Sequence, residues 1–127
     1  MKSFCKILIV TALLGVVAAC HRDEPASVVK SFYYAYQNLD FEKVREYCTP
    51  YMSQKISLIE EGFNEEKQAF LHPKIKKQHI SVGDVSYNDA GNQAVVTVVF
   101  TAPEDTVQHI DYVTLEKYGE EWQVSNF

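Results

Sequence analysis

The chain has 127 residues, of which 17 are acidic and 12 are lysine or arginine, and its formal net charge is −5 at pH 7. This length suits one small domain with a modest hydrophobic core. The acidic balance argues against nucleic acid as a partner, because a protein that binds the phosphate backbone needs a basic surface.

The first nineteen residues differ in composition from the rest of the chain. Lys2 and Lys6 precede an uncharged stretch, ILIVTALLGVVAA, at residues 7–19. A helix takes roughly 20 residues to cross the bilayer core, so this stretch is too short for a transmembrane span. A basic start, a short apolar stretch and small residues at its end are typical of a secretory signal.

The signal ends in Val17-Ala18-Ala19-Cys20, which resembles the lipobox of bacterial lipoproteins. The resemblance implies that a peptidase removes residues 1–19 and that Cys20 receives a diacylglycerol, with acyl chains such as palmitate. Two chains anchor a protein stably, whereas one chain gives only marginal binding. We therefore expect a protein anchored by lipid to the cell membrane or outer membrane, with its domain in the periplasm or at the cell surface. The alternative is an ordinary signal peptide beside an incidental cysteine.

A short polar tether, residues 20–25, links the lipid site to the domain, which we assign to residues 26–127. The domain therefore begins almost at the membrane. The segment HRDE at residues 21–24 resembles the export signals that follow the lipidated cysteine in some Bacteroidetes lipoproteins. The alternative is a solvated tether whose acidic residues suit the start of a helix.

Removal of the leader changes the charge and the cysteine content of the chain. Lys2 and Lys6 are lost while every acidic residue stays, so the formal charge falls from −5 to −7. Cys5 leaves with the leader and Cys20 carries lipid, which leaves Cys48 as the free thiol. No intramolecular disulfide can then form. We expect Cys48 to be a buried small hydrophobe rather than a catalytic nucleophile.

Apolar residues at helical spacing predict helices in the first half of the domain. We expect three of them, at residues 25–38, 41–48 and 50–62. Asp40 and Thr49 are expected to cap the second and third helices, and proline follows Thr49 at the first helical position. Residues 64–72 can add one short helical turn, which is expected to end before Pro73.

After Pro73 the pattern changes to the alternation of strands, expected at residues 80–87, 94–101, 107–118 and 121–127. The alternation changes phase at Gly83, which predicts a β-bulge. Short connections favour an antiparallel meander. The fold class is therefore α+β, with about three N-terminal helices packed on a curved, cone-like four-stranded antiparallel meander sheet. We expect the one basic cluster on a solvated strand edge: Lys74, Lys76 and Lys77.

Three segments of the chain carry a resemblance to a known superfamily. They are ASVVKSFYYA at residues 26–35, NLDFEKV at residues 38–44 and KYGEEWQV at residues 117–124. Their order resembles the nuclear transport factor two-like (cystatin-like) superfamily, and more narrowly its short bacterial lipoproteins of unknown function. The resemblance implies a cone whose mouth often holds a small ligand, and a choice among enzymes, binding proteins, adaptors and dimers. It carries no catalytic signature, so no catalytic residue is transferred.

Four residues are candidates for binding a small ligand: Tyr36, Tyr47, His109 and Asp111. Tyrosines offer an apolar body and a hydroxyl, so they can line a cone or serve as core and rim. His109 and Asp111 are two residues apart on the third strand and share a face, where they can form an acid/base pair. The favoured alternative places this pair on the solvated face, with Gln108, Ile110 and Tyr112 turned inward.

No metal or cofactor site is expected, because the histidines lack metal-ligand spacing and the chain has no phosphate loop or dinucleotide fingerprint. The sequence predicts a membrane-anchored envelope lipoprotein whose domain binds a small apolar ligand or a protein partner without catalysis. A homodimer is compatible with this prediction. Two alternatives stay open: an isomerase- or dehydratase-type enzyme with polar residues inside the cone, and a protein-interaction module or dimer formed through the outer sheet face.

Overall fold

The computed structural model describes residues 23–104 and 107–127, so the expected signal peptide and the lipid site at Cys20 lie outside the described residues. Within them, the helices are α1 (Pro25–Gln37), α2 (Phe41–Glu46), α3 (Pro50–Gly62) and α4 (Glu65–Lys77), and the strands are β1 (His79–Tyr87), β2 (Gln93–Thr101), β3 (Gln108–Tyr118) and β4 (Glu121–Asn126). The strands form one antiparallel sheet in the order β1-β2-β3-β4. The expected α+β class is confirmed, with four described helices where about three were expected.

The side chains of Asp40 and Thr49 cap the second and third helices. Asp40 accepts a hydrogen bond from the Lys43 N–H at 3.3 Å, and Thr49 accepts one from the Met52 N–H at 3.3 Å. Each bond satisfies a backbone donor that has no partner within its helix, and such a cap contributes about 1 kcal/mol. Both predicted caps are confirmed.

The connection between α2 and α3 pairs with the edge of the sheet. The Val124 N–H donates to the Tyr47 carbonyl at 2.7 Å, and the Thr49 N–H donates to the Val124 carbonyl at 2.9 Å. These bonds make a parallel bridge between Cys48 and Val124. Helix α2 therefore ends at Glu46 rather than at residue 48, because the backbone of the next residues forms hydrogen bonds with strand β4.

Helix α4 is longer than predicted and passes through Pro73. A proline removes one hydrogen bond from the interior of a helix, yet both ends of α4 are well supported. The Asn64 side chain accepts from the Lys67 N–H at 2.8 Å, and an acidic first turn and a basic last turn complement the helix dipole. The expected strand-edge position is wrong for the basic cluster, whose members all lie on α4: Lys74, Lys76 and Lys77.

A register shift between Val82 and Val85 interrupts the pairing of β1 with β2, which confirms the bulge predicted at Gly83. Val82 pairs with Val98, and Val85 pairs with Val96. Both partners on β2 are fully buried. Val82 and Val85 are three residues apart and would point to opposite faces of a regular strand. The bulge turns both toward the same face of the sheet.

The core lies between the helices and one face of the sheet. Its largest fully buried side chains are Phe32, Met52, Ile56, Leu115, Val28, Val29, Val44, Val96, Val98, Val113 and Val124. Complete burial of an aliphatic or aromatic side chain contributes roughly 1.5–3 kcal/mol. Cys48 is buried with this cluster, as expected from the sequence.

Candidate functional site

The buried residues of β3 identify the face of this strand that meets the helices. Val113 and Leu115 are fully buried. Because side chains alternate along a strand, Asp111 and His109 lie on the same side as these two residues. The pairing of β2 with β3 runs without a register shift, so this alternation holds along the whole strand.

The favoured interpretation is wrong in turning Gln108, Ile110 and Tyr112 inward, although His109 and Asp111 are themselves exposed to solvent as it expected. Ile110 and Tyr112 lie on the outer sheet face and are 59% and 61% exposed. At the start of β3 the apolar residues Ile110 and Tyr112 stand at even-numbered positions, whereas the buried Val113 and Leu115 stand at odd-numbered positions. The fully buried pair determines the phase, because it packs in the core between helices and sheet.

A cavity of about 220 Å³ lies at this end of the molecule, between α1, the end of α4 and the inner sheet face. Its lining includes the rings of Tyr33, Tyr36, Phe100 and Phe127 and the carboxylate-bearing side chain of Asp111. Two of the four candidate residues, Tyr36 and Asp111, therefore meet in one site. The volume lies below the range of about 300–1,000 Å³ found for drug-sized ligands, so the cavity suits a smaller molecule.

Tyr33 also lines this site, although the sequence does not distinguish it from the other tyrosines of α1. It is 7% exposed, and its hydroxyl is buried without a hydrogen-bond partner among the described residues. Burial raises the pKa of Tyr33 above its ordinary value of 10.0, and the nearby Asp111 and Tyr36 raise that pKa further. The phenol therefore keeps its proton to a higher pH than an exposed tyrosine.

Aromatic contacts fix the positions of the two tyrosines. The Tyr33 ring meets Phe32 and Phe100 edge to face, with ring centroids 5.0 Å and 5.2 Å apart. Tyr36 meets Phe127 in the same way at 6.2 Å, and burial raises the pKa of Tyr36 as well. Edge-to-face pairs contribute roughly 0.5–1.5 kcal/mol beyond the area they bury. The walls of the cavity are thus formed before any ligand arrives.

One side chain ties α4 to α1 beside the cavity. The Gln37 Nε2 donates to the Ile75 carbonyl at 3.1 Å and to the Gln78 carbonyl at 2.9 Å. All three residues also line the cavity. Gln37 lies four residues after Tyr33 on α1, one helical turn further along the same face. The last turn of α4 is therefore held in place as one wall of the site.

The other two candidate residues lie elsewhere. His109 is on the inner sheet face but is exposed and does not line the cavity, so the acid/base pair with Asp111 is not assembled there. Tyr47 lines a separate hollow of about 610 Å³ with Lys30 and Tyr34. This hollow is larger, but its side chains are mostly surface residues, and Tyr34 is 72% exposed. It holds no buried polar group comparable to the Tyr33 hydroxyl.

Neither a metal centre nor a reactive thiol is found in the described part of the chain. No group of three histidine, cysteine or acidic residues is placed there to hold a metal ion. Burial raises the pKa of the Cys48 thiol to about 12, so this side chain is protonated and unreactive at neutral pH. The polar side chains that line the cavity are two phenols, two amides and one carboxylate: Tyr33, Tyr36, Gln37, Gln78 and Asp111.

Comparison of the chain with protein-family models, with curated proteins and with solved structures found no match. Within residues 23–104 and 107–127, no helix has the length and apolar character needed to cross a membrane.

Proposed function

We propose that the protein is a lipid-anchored bacterial envelope lipoprotein whose domain, of the nuclear transport factor two-like type, binds a small and mostly apolar ligand without catalysis. The observation that carries this proposal is an aromatic cavity lined by Tyr33, whose hydroxyl is buried without a hydrogen-bond partner among the described residues. A buried hydroxyl without a partner costs about 1–3 kcal/mol. A ligand whose acceptor oxygen reaches this hydroxyl would remove that cost.

The groups around the cavity define the chemical class of this ligand. Aromatic rings supply apolar walls, and Tyr33 supplies a donor. The Asp111 carboxylate, although exposed to solvent, disfavours an anionic ligand beside it because like charges repel. The ligand that fits is therefore neutral, compact and apolar, with one acceptor oxygen such as that of a ketone or an ester.

The anchor is supported by the leader and by the Val17-Ala18-Ala19-Cys20 motif. Mass spectrometry of the protein extracted from membranes tests it separately from ligand binding. We expect an N-terminal peptide that begins at Cys20 and carries a diacylglycerol. A chain that keeps residues 1–19, or one that begins elsewhere without lipid, would remove the anchor from the proposal.

Ligand binding is tested with two probes of similar shape. Acetophenone is a neutral aromatic ketone, and cumene replaces its oxygen with a methyl group. We expect acetophenone to shift the backbone amide resonances around the cavity in a domain of residues 21–127. Tyr33→Phe should weaken acetophenone binding by about 2- to 10-fold, the contribution of one neutral hydrogen bond, and leave cumene binding unchanged. Equal effects on both probes, or no shifts in the native domain, would refute the proposal.

An isomerase- or dehydratase-type enzyme is the second candidate function, favoured by the convergence of Asp111 with the protonated Tyr33 at one cavity. A carboxylate can remove a proton next to a carbonyl while a phenol donates to the carbonyl oxygen. Acetophenone deuterated at its methyl group separates the two functions. Exchange of its deuterium for solvent protons that Asp111→Asn abolishes would favour the enzyme, whereas no exchange above buffer supports binding alone.

A further inference from the structure

One face of α4 carries lysines around an exposed aromatic ring. Lys67, Phe70, Lys74 and Lys77 follow one another at intervals of three, four and three residues, which places them on the same side of a helix. Phe70 is 64% exposed, and the Lys74 ammonium lies 4.1 Å from the centre of its ring. We call these four residues the lysine–phenylalanine face. Its ring is not used by the core of the domain.

A different side of α4 holds the helix on the domain. Leu71 and Ile75 are half-buried there, while none of the residues of α4 is fully buried. Gln37 of α1 donates to the backbone of the last turn of α4 and to Gln78 just beyond it. The lysine–phenylalanine face is therefore free of intramolecular packing and is presented to the surroundings of the protein.

This face is basic although the chain as a whole is acidic. Helix α4 carries four lysines and two acidic residues, Glu65 and Glu66 in its first turn, whereas the complete chain has a formal charge of −5. Charges further apart than about 8 Å are largely screened at physiological ionic strength. A partner that touches the last two turns of α4 therefore meets a local positive charge, which the acidic first turn reduces toward the other end of the helix.

We propose that the lysine–phenylalanine face of α4 lies on the anionic surface of the bilayer to which Cys20 anchors the protein. This inference rests on the lipid anchor of the proposed function. Lysines close to an anionic leaflet each strengthen attachment by about fivefold. An exposed phenylalanine among them suits the boundary between headgroups and acyl chains, where amphipathic helices bury their apolar residues.

The tether gives this surface access to the bilayer. Residues 21–24 span at most roughly 14 Å, and α1, which begins at Pro25, is about 20 Å long. Gln37, at the far end of α1, holds α4. A tether this short keeps the domain, and α4 with it, close to the bilayer surface.

The test uses the full protein, extracted from membranes and reconstituted into vesicles. Phe70→Trp places a fluorescent reporter on the face, and Trp122, which is 4% exposed, gives a constant background. The vesicles contain phosphatidylcholine with or without phosphatidylglycerol, and their acyl chains are brominated to quench nearby indole rings. We expect the emission of Phe70→Trp to shift to the blue and to be quenched, most strongly with phosphatidylglycerol.

A matched control places the reporter on the outer sheet face. Ile110→Trp replaces a side chain of similar exposure, 59%, and its indole is expected to stay unquenched. Combining Lys67→Gln, Lys74→Gln and Lys77→Gln with Phe70→Trp should reduce quenching to the level of pure phosphatidylcholine vesicles. Equal quenching at positions 70 and 110, or no quenching at position 70, would overturn the proposal. The latter result would be expected if the face binds an acidic protein instead.

Failure of the anchor and failure of the α4 contact give different results. Mass analysis of the same preparation reports whether Cys20 is acylated. An acylated protein whose Phe70→Trp reporter stays unquenched keeps its anchor and refutes the contact. An unacylated protein whose reporter is quenched only by phosphatidylglycerol vesicles keeps the lysine–phenylalanine face as a lipid-binding surface but refutes its dependence on the anchor.

Discussion

Replacing Tyr33 with phenylalanine is expected to stabilise the empty domain while it weakens ligand binding. The substitution removes the hydroxyl that is buried without a partner and keeps the ring. The edge-to-face contacts with Phe32 and Phe100, at 5.0 Å and 5.2 Å between ring centroids, are therefore retained. Opposite changes in stability and in binding identify a side chain that is kept for function rather than for folding.

The size of the stabilisation follows from the cost of the unpaired hydroxyl. Leaving such a group buried costs about 1–3 kcal/mol, so the free energy of unfolding of Tyr33→Phe should rise by about 1 kcal/mol or more. For a domain of this size, each kcal/mol raises the Tm by roughly 4–8 °C. The raised pKa of Tyr33 gives a second signature. The folded state keeps this proton above pH 10, where the unfolded chain loses it, so native stability falls as the pH rises further and the variant lacks this part of the loss.

Urea unfolding of the domain at neutral pH measures the effect, with an unchanged dependence on urea concentration as the check that both proteins unfold alike. Tyr34→Phe is the matched control, because Tyr34 lies on the same helix and is 72% exposed. Its free energy of unfolding should change by less than about 0.5 kcal/mol. A Tyr33→Phe variant that is less stable than the native domain would show that the hydroxyl has a partner, and the argument for the binding site would fail.

Three further predictions concern other parts of the molecule. Burial raises the pKa of Cys48 from 9.0 to about 12, so its contribution to stability is complete below pH 9 and is lost at up to about 1.4 kcal/mol per pH unit as the pH rises towards 12. Urea unfolding at a series of pH values should show a shallower decline for Cys48→Ala, and an identical decline would contradict this. Thr49→Val removes the cap on the Met52 N–H and should lower the free energy of unfolding, measured by thermal unfolding, by about 1 kcal/mol. Thr49→Ser keeps the capping hydroxyl and should leave this free energy nearly unchanged. Gln37→Met removes both bonds to the end of α4, so hydrogen exchange should accelerate in α4 alone; acceleration spread evenly over the domain would show that Gln37 supports the whole core.

Much of the fold could be predicted because its signals are local. Asp40 and Thr49 cap helices through side chains that reach only three residues along the chain. Gly83 marks a change of phase that is visible within a few residues, and the register shift follows there. By contrast, the continuation of α4 through Pro73 could not be read from the sequence, because the bonds that Gln37 makes to the end of the helix come from 38 and 41 residues away.

The candidate site was only half predictable for a similar reason. The sequence places Tyr33 and Tyr36 on the same helix and gives no sign of which hydroxyl stays without a partner. Asp111 could be paired with His109 by alternation, but the face of β3 depends on which residues the helices cover. Only tertiary packing decides this, through the burial of Val113 and Leu115.

The bridge between Cys48 and Val124 limits how copies of this protein can pair through the edges of their sheets. A sheet with two open edges can extend from copy to copy without end, as in a fibre. Here the edge of β4 is blocked at Val124, which leaves β1 as the open edge of the described sheet. Two copies joined edge to edge through β1 would form a closed twofold pair with no free edge of the same kind. The short connection between α2 and α3 therefore works against fibre formation at high local concentration.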